Sequence, residues 1–361
     1  MAKLAIIFGA GASYDFLPTY PPGPGDRSLD RFREQRVPLA DHLFEDRPEF
    51  ASIASKLPRL VPLLPELRNR SGNRSVEQIL EELRSLEKNH RYWPRRQHEL
   101  TAIRFYLQQA IWWSEVAMVN RASGVSNYTS LIGYIEQFRQ SEEPVILITF
   151  NYDTLIERAL SLHFDDFNFR ETNDYVSRPA YKLFKLHGSV NWGHPIEDDA
   201  RLNAHQSPES LRNAIIDLAD DIRYENNRFV VLDEPRVAVK NWINFPAISI
   251  PVQQKSHFSC PQEWLPLLDR LLDGVSNLLV IGWRGAEEHF LERVVRVLNK
   301  NADFHLSVVS QTPTSANETQ IRLRGAGLKP AQEGSLFGGG FTNFISSGDV
   351  KTFLRRSGNV V

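Results

Sequence analysis

Apolar residues are distributed along this chain in two rhythms. Short unbroken runs occur at Leu4-Ala5-Ile6-Ile7-Phe8, at PVILITF (Pro144–Phe150), at NLLVIGW (Asn277–Trp283) and within DFHLSVVS (303–310). Runs of this length without alternation mark strands buried on both faces of a parallel sheet. YKLFKLHGS (181–189) alternates into a further strand, and TNFISS (342–347) is a candidate for a last short one. Helical spacing follows the runs, in DTLIERALSLH (153–163), AEEHFLERVVRVLNK (286–300) and SANETQIRLRG (315–325). From about Val37 to Ala122 the pattern is helical throughout. Ser75 is a candidate N-cap ahead of Val76, Ile79, Leu80, Leu83 and Leu86, and Ile103, Leu107, Ala110 and Ile111 share one stripe.

Strands alternating with helices predict an α/β fold, a Rossmann-like parallel sheet with helices on both faces. The expected organisation is a single domain with its core in 1–45, 140–195 and 263–356. A helical subdomain is inserted at 46–139, and a second elaboration occupies 196–262. The prolines and glycines of PTYPPGPGDRS (18–28) exclude regular structure and predict a loop.

Composition narrows the class. With 361 residues, 42% hydrophobic and 24% charged, the chain has apolar surface for a sizeable core. A formal charge of −2 gives no basis for a sequence-independent grip on nucleic acid, so no direct nucleic-acid partner is expected. No run approaches the roughly 18 apolar residues of a membrane span. The run Leu4–Phe8 also falls short of the roughly 7–15 apolar residues of a secretory signal. One cysteine, Cys260, excludes an internal disulfide and any Cys-x-x-Cys pair. A cytoplasmic protein is the expectation, with Cys260 an inert, partly buried thiol. Trp93, Trp112 and Trp113 fall at helical spacing, which suits core packing better than a base-stacking platform.

In open α/β sheets, ligands bind outside the carboxyl ends of the strands. Four polar motifs fall there. Gly9-Ala10-Gly11-Ala12-Ser13 follows the first strand, as a turn whose glycines let the backbone approach a pyrophosphate or as a plain strand-to-helix turn. Asn151 and Asp153 follow the second, as site residues or as caps of the next helix. His187, before Gly188, ends the third; histidine is the natural general base near neutral pH. Gly282, before Trp283 and Arg284, ends the fourth. Ser310, after HLSVV, is a candidate ribose contact. There is no nucleophile elbow, Walker loop or H-E-x-x-H, and the histidines lack metal-ligand spacing, so no metal is expected.

Taken in order, GAGAS, ITFNYDTLIERAL, KLHGSVNW and LLVIGW resemble the sirtuin family, and more particularly the bacterial sirtuin-like domains that hydrolyse NAD in anti-phage defence. PLADHLF (38–44) adds to the likeness, which covers roughly 1–45, 140–195 and 275–350. The resemblance implies that Gly9, Ala10, Gly11, Ala12 and Ser13 hold the NAD pyrophosphate, and that Asn151 and Asp153 lie by the nicotinamide and its ribose. It implies further that His187 is the catalytic base and that Gly282 contributes to holding the dinucleotide, with Gly188 a further cofactor-binding candidate. Phe150 stands where deacylase sirtuins carry glutamine, and Trp283 and Arg284 where they carry small hydroxyl residues. Their four-cysteine zinc module cannot be built with one cysteine. The implied function is therefore NAD hydrolysis to nicotinamide and ADP-ribose, with NAD as substrate and no metal, in a gated defence effector. The family likeness also implies a homo-oligomer, with a possible separately encoded partner such as a ring-forming ATPase. The alternatives are a non-catalytic module that senses NAD or ADP-ribose, and a sirtuin-type deacylase or ADP-ribosyl transferase.

Overall fold

The structure, a computed structural model, describes residues 4–18, 35–69, 74–85, 93–139, 142–239, 242–252, 258–301, 303–331 and 334–356. Most of the 18–28 loop and Leu86 lie outside the described residues, as does the side chain of Trp93. In chain order the strands are β1 (Leu4–Phe8), β2 (Val145–Thr149), β3 (Tyr181–Lys185), β4 (Gly188–Pro195), β5 (Val230–Val231), β6 (Ala238–Val239), β7 (Trp242–Ile248), β8 (Asn277–Ile281), β9 (His305–Val309) and β10 (Leu336–Phe337). The chain divides into two compact units, Met1–Val37 with Glu115–Leu186 and Gln262–Val361, and Pro38–Ser114 with His187–Pro261.

The first unit holds a six-stranded parallel sheet in the order β10-β9-β8-β1-β2-β3. The unbroken apolar runs account for its centre. Every residue of β1, β2 and β8 is buried, as strands covered on both faces must be. Burying one large aliphatic or aromatic side chain is worth about 1.5–3 kcal/mol, so a charge placed mid-strand in β1 would be costly. β1 is flanked in register by β2 (Phe8 opposite Thr149) and by β8 (Phe8 opposite Ile281), so the ends of all three strands are level. Helices flank the sheet, which gives the chain its Rossmann-like α/β fold. Helix Asn127–Phe138 begins at a capping box made by Ser126 and Thr129, and its Tyr128 packs on Phe8 and Phe341.

Two expectations are corrected here. TNFISS is not a strand: residues Gly340–Ser346 form a helix, because Phe341, Phe344 and Ile345 are spaced to bury one helical face, and the edge strand is Leu336–Phe337. YKLFKLHGS is not one strand either. β3 ends at Lys185, a turn follows, and β4 begins at Gly188 in a different sheet. Gly188 has φ of 81°, and a Cβ there would meet the Ala247 carbonyl oxygen at 1.9 Å, so only glycine fits this corner.

The second unit contains the antiparallel sheet β5-β4-β7-β6 and several helices. Ser75 caps helix Val76–Arg84 in a capping box with Gln78, as its sequence predicts. Aromatic packing fills this unit: Phe44 stacks on Tyr106 with centroids 5.0 Å apart, and Trp192 is fully buried. A helix of 30 residues, Trp93–Ala122, contributes to both units. Among the described residues no helix is long and apolar enough to cross a membrane.

Candidate active site

At the carboxyl end of β1 the chain turns at Gly9 into the short helix Ala10–Tyr14. The turn is held against the end of β8 by backbone alone: the Gly9 N–H donates to the Ile281 carbonyl at 3.0 Å, and the Gly11 N–H to the Gly282 carbonyl at 3.1 Å. The approach is close enough to exclude side chains. A Cβ on Gly9 would lie 2.5 Å from Trp283 Cα, and one on Gly282 would lie 2.4 Å from the Ala12 nitrogen. Gly282 also has φ of 63°, a left-handed conformation that L side chains rarely adopt. Two glycines of the first turn and one about 270 residues later therefore form one backbone junction.

Asn151, just past β2, reaches the same turn. Its Nδ2 donates to the Gly9 carbonyl at 2.9 Å and to Ser13 Oγ at 2.8 Å, and Ser13 Oγ lies 3.1 Å from the Tyr128 hydroxyl. Both amide hydrogens are engaged, which fixes the plane of the group and leaves Oδ1 as its remaining polar atom. Asp153 Oδ1 accepts the Leu155 N–H at 3.2 Å at the start of helix Leu155–His163. Gly9, Gly11, Ala12, Ser13, Asn151, Asp153 and Gly282 thus form one contiguous group, with Ala10 opening the short helix between them.

The other predicted residues sit elsewhere in this frame. Ser310 follows β9, and its hydroxyl lies 2.7 Å from Ser315 Oγ, while its N–H donates to the Phe337 carbonyl at 3.0 Å. His187 and Gly188 belong to the second unit. His187 is buried at 2% exposure, and its carbonyl accepts the Ser249 N–H at 3.0 Å.

Beneath the asparagine loop lies a buried charge network that the sequence reading did not single out. Lys185 is fully buried; its Nζ lies 2.9 Å from Glu157 Oε1 and donates to the Asp153 main-chain carbonyl. Tyr175 donates to the same Glu157 oxygen at 3.3 Å. Burial pushes the Asp153 carboxyl up to about 6, against the opposing pull of the Lys185 charge, and Glu115 adds to the rise. Burial also raises Glu157, again against Lys185. A lysine at the inner end of strand YKLFK, next to the buried Leu183 and Phe184, was the available signal, because a charge at a buried position requires a partner.

Phe150 and Trp283, two of the departures from the deacylase pattern noted above, touch each other. Their rings stack with centroids 5.3 Å apart at 22°, and Phe290 packs edge-on against both. The indole N–H donates to Glu287. Among the described residues no group of three or more His, Cys, Asp or Glu side chains is placed to hold a metal ion.

A family model described as a SIR2-like domain matches residues 145–331, more than half of the chain. A solved structure described as a Sir2 homolog–NAD complex is 12% identical, with 99% of this chain and 90% of that chain covered and a TM-score of 0.42. A Sir2 in complex with an inhibitor, 2′-O-acetyl-ADP-ribose and a deacetylated peptide is 13% identical, with 98% and 94% covered and a TM-score of 0.38. No curated protein matches the chain.

Proposed function

Because the chain belongs to the SIR2-like domain family, we propose that it is an NAD glycohydrolase, cleaving the nicotinamide–ribose bond to give nicotinamide and ADP-ribose. The observation that carries this reading is the junction at the sheet's carboxyl edge, where Asn151 is locked by two hydrogen bonds onto the turn that follows β1. It puts a rigid amide oxygen beside a strand-to-helix turn, at the place where α/β sheets bind nucleotides.

The chemistry asks little of a general acid, since nicotinamide leaves the ribose as a neutral molecule. It asks for a fixed ribose, stabilisation of the positive charge that develops on it, and a directed water. In this reading the segment Gly9–Ser13 holds the pyrophosphate, with Gly282 shaping that turn and Gly188 and Ser310 as further dinucleotide contacts. Asn151 Oδ1 accepts from a ribose hydroxyl or from the attacking water. Asp153, ionised above about pH 6, sets the local negative potential toward the nicotinamide end. His187 takes the proton released as water adds to the ribose carbon. The Phe150–Trp283 stack gives this edge of the sheet an aromatic wall, in place of the polar residues of the deacylases. Unrestrained NAD hydrolysis would exhaust its host, so the activity belongs to a gated effector of anti-phage defence. Assembly into a homo-oligomer or with a separately encoded partner would supply the gate.

Nicotinamide release from NAD, measured for the full chain beside His187→Ala and Asn151→Ala variants, tests the proposal. Turnover by the parent that falls by about 10²-fold or more in both folded variants is the expected result, the scale of a lost general base or positioning group. Tight NAD binding with no turnover, alone and with the product of a neighbouring gene, would turn the reading into a sensor. Nicotinamide release that depends on an acylated peptide would turn it into a deacylase.

A further inference from the structure

The loop between β2 and helix Leu155–His163 carries Asn151 and Asp153, and it has no regular structure to fix it. Its backbone donors must each find a partner because the segment is buried. Two do so within the loop, Asn151 N–H to Thr149 Oγ1 and Leu155 N–H to Asp153 Oδ1, and Phe150 N–H donates to the Phe8 carbonyl at the end of β1. Thr154 N–H is satisfied by a side chain from another helix. It donates to Glu115 Oε2 at 2.8 Å, and the Thr154 hydroxyl donates to Glu115 Oε1 at 2.5 Å.

Glu115 lies on helix Trp93–Ala122 and is fully buried. A buried carboxylate is tolerated only where hydrogen bonds and countercharge replace its water. Here Arg158 supplies the charge, with Nε 2.7 Å from Glu115 Oε1. All three of these donors belong to the Asn151–Asp153 loop's own helix or to the residue that opens it. Thr154 makes no side-chain cap of that helix, so Glu115 provides the negative group that favours a helix start.

We propose that Glu115 is a positioning residue for Asn151 and Asp153, a role that rests on the reading of their loop as part of the NAD site. By clasping Thr154 through both its N–H and its hydroxyl, the Glu115 carboxylate fixes the residue next to Asp153. The Asn151 amide is then held at 2.8–2.9 Å from Ser13 and Gly9. A displacement of about 1 Å in such a group can cost about 10²-fold in rate.

The test compares the full chain with Glu115→Ala, Glu115→Gln, Thr154→Val and Thr154→Ser, reading kcat and KM for NAD, and hydrogen exchange over residues 150–158. Glu115→Ala should lower kcat by about 10-fold to 10²-fold, with KM changing less than kcat. Glu115→Gln, which can accept from only one side of Thr154 without opposing two donors, should fall between. Thr154→Ser should keep the parent's kcat while Thr154→Val loses it; this pair carries the test if Glu115→Ala does not fold. In Glu115→Ala the Thr154 and Leu155 amides should exchange faster, with helix Trp264–Leu272 unchanged. A folded Glu115→Ala variant with the parent's kcat, or Thr154→Ser falling as far as Thr154→Val, would overturn the proposal. If the parent has no NAD turnover, the NAD reading fails by itself, and the exchange data alone decide: unaltered exchange at Thr154 and Leu155 refutes the clasp.

Discussion

Lys185→Met removes the buried cation of the network and replaces it with an apolar side chain of similar length. Glu157 then loses a partner 2.9 Å away, and its other oxygen already has no hydrogen-bond partner among the described residues. Breaking a buried pair by deleting one member costs about 3–5 kcal/mol, because the remaining charge stays desolvated. Proton uptake can relieve part of that cost, and the direction follows from linkage. Asp153 and Glu157 already bind protons more readily in the folded protein than in the unfolded chain. Their contribution to stability is therefore greatest below the unfolded carboxyl value and is lost as pH rises through the folded one, about 6 for Asp153. Without Lys185 the folded values move higher still, and each unit of movement is worth about 1.4 kcal/mol. The variant should thus be less stable than the parent by about 3–5 kcal/mol at pH 8, with the gap closing to roughly 1–2 kcal/mol near pH 5. Urea denaturation of both proteins from pH 5 to pH 8, followed by near-ultraviolet circular dichroism, measures the gap directly. A gap that is the same at every pH, or below about 1 kcal/mol at pH 8, would refute the charge network as the physical basis.

Other perturbations probe the junction around it. Gly282→Ala forces a Cβ to within 2.4 Å of the Ala12 nitrogen in a left-handed backbone. It should destabilise the chain by about 3 kcal/mol or more in chemical denaturation; a loss under 1 kcal/mol would mean the turn moves aside freely. Phe150→Ala and Trp283→Ala should each cost about 3–5 kcal/mol, yet the double variant should cost less than their sum by about 0.5–1.5 kcal/mol, the coupling a double-mutant cycle reads from a stacked pair. Thr342→Val removes a hydroxyl that donates to Asp15 at 2.7 Å and accepts from Asn127 at 2.8 Å. A stability loss of about 1–3 kcal/mol is expected in thermal unfolding, and none at all would show that water replaces those bonds.

Much of the first unit was legible because its physics is local. An unbroken apolar run such as LAIIF suits a strand covered on both faces, and the glycines at 9 and 282 stand just past strand ends where no side chain fits. TNFISS misled because its six residues hold only the adjacent pair Phe344-Ile345, and the helical spacing shows only when Phe341 is read with them. The sharp corner at Gly188 was hidden for another reason: it is imposed by the Ala247 carbonyl, which is remote in sequence. The same applies to the support of the candidate site. Glu115 carries no motif and Lys185 only opens KLHGSVNW, and the meaning of both lies in partners that the fold brings to them. Phe150 and Trp283 were each visible as a departure, but only the folded chain makes them a single contact.

The junction of Gly9 and Gly11 with Gly282 also sets an order of events in synthesis. A ribosome emits the turn sequence about 270 residues ahead of the carbonyls of residues 281 and 282 that receive its N–H groups. β1 lies between β2 and β8, so the central strand of the sheet waits for a neighbour made much later. A nascent or truncated chain that stops short of β8 therefore has the turn without the backbone that shapes it. The backbone cradle at the carboxyl edge of the sheet is in this way completed only once β8 has been made.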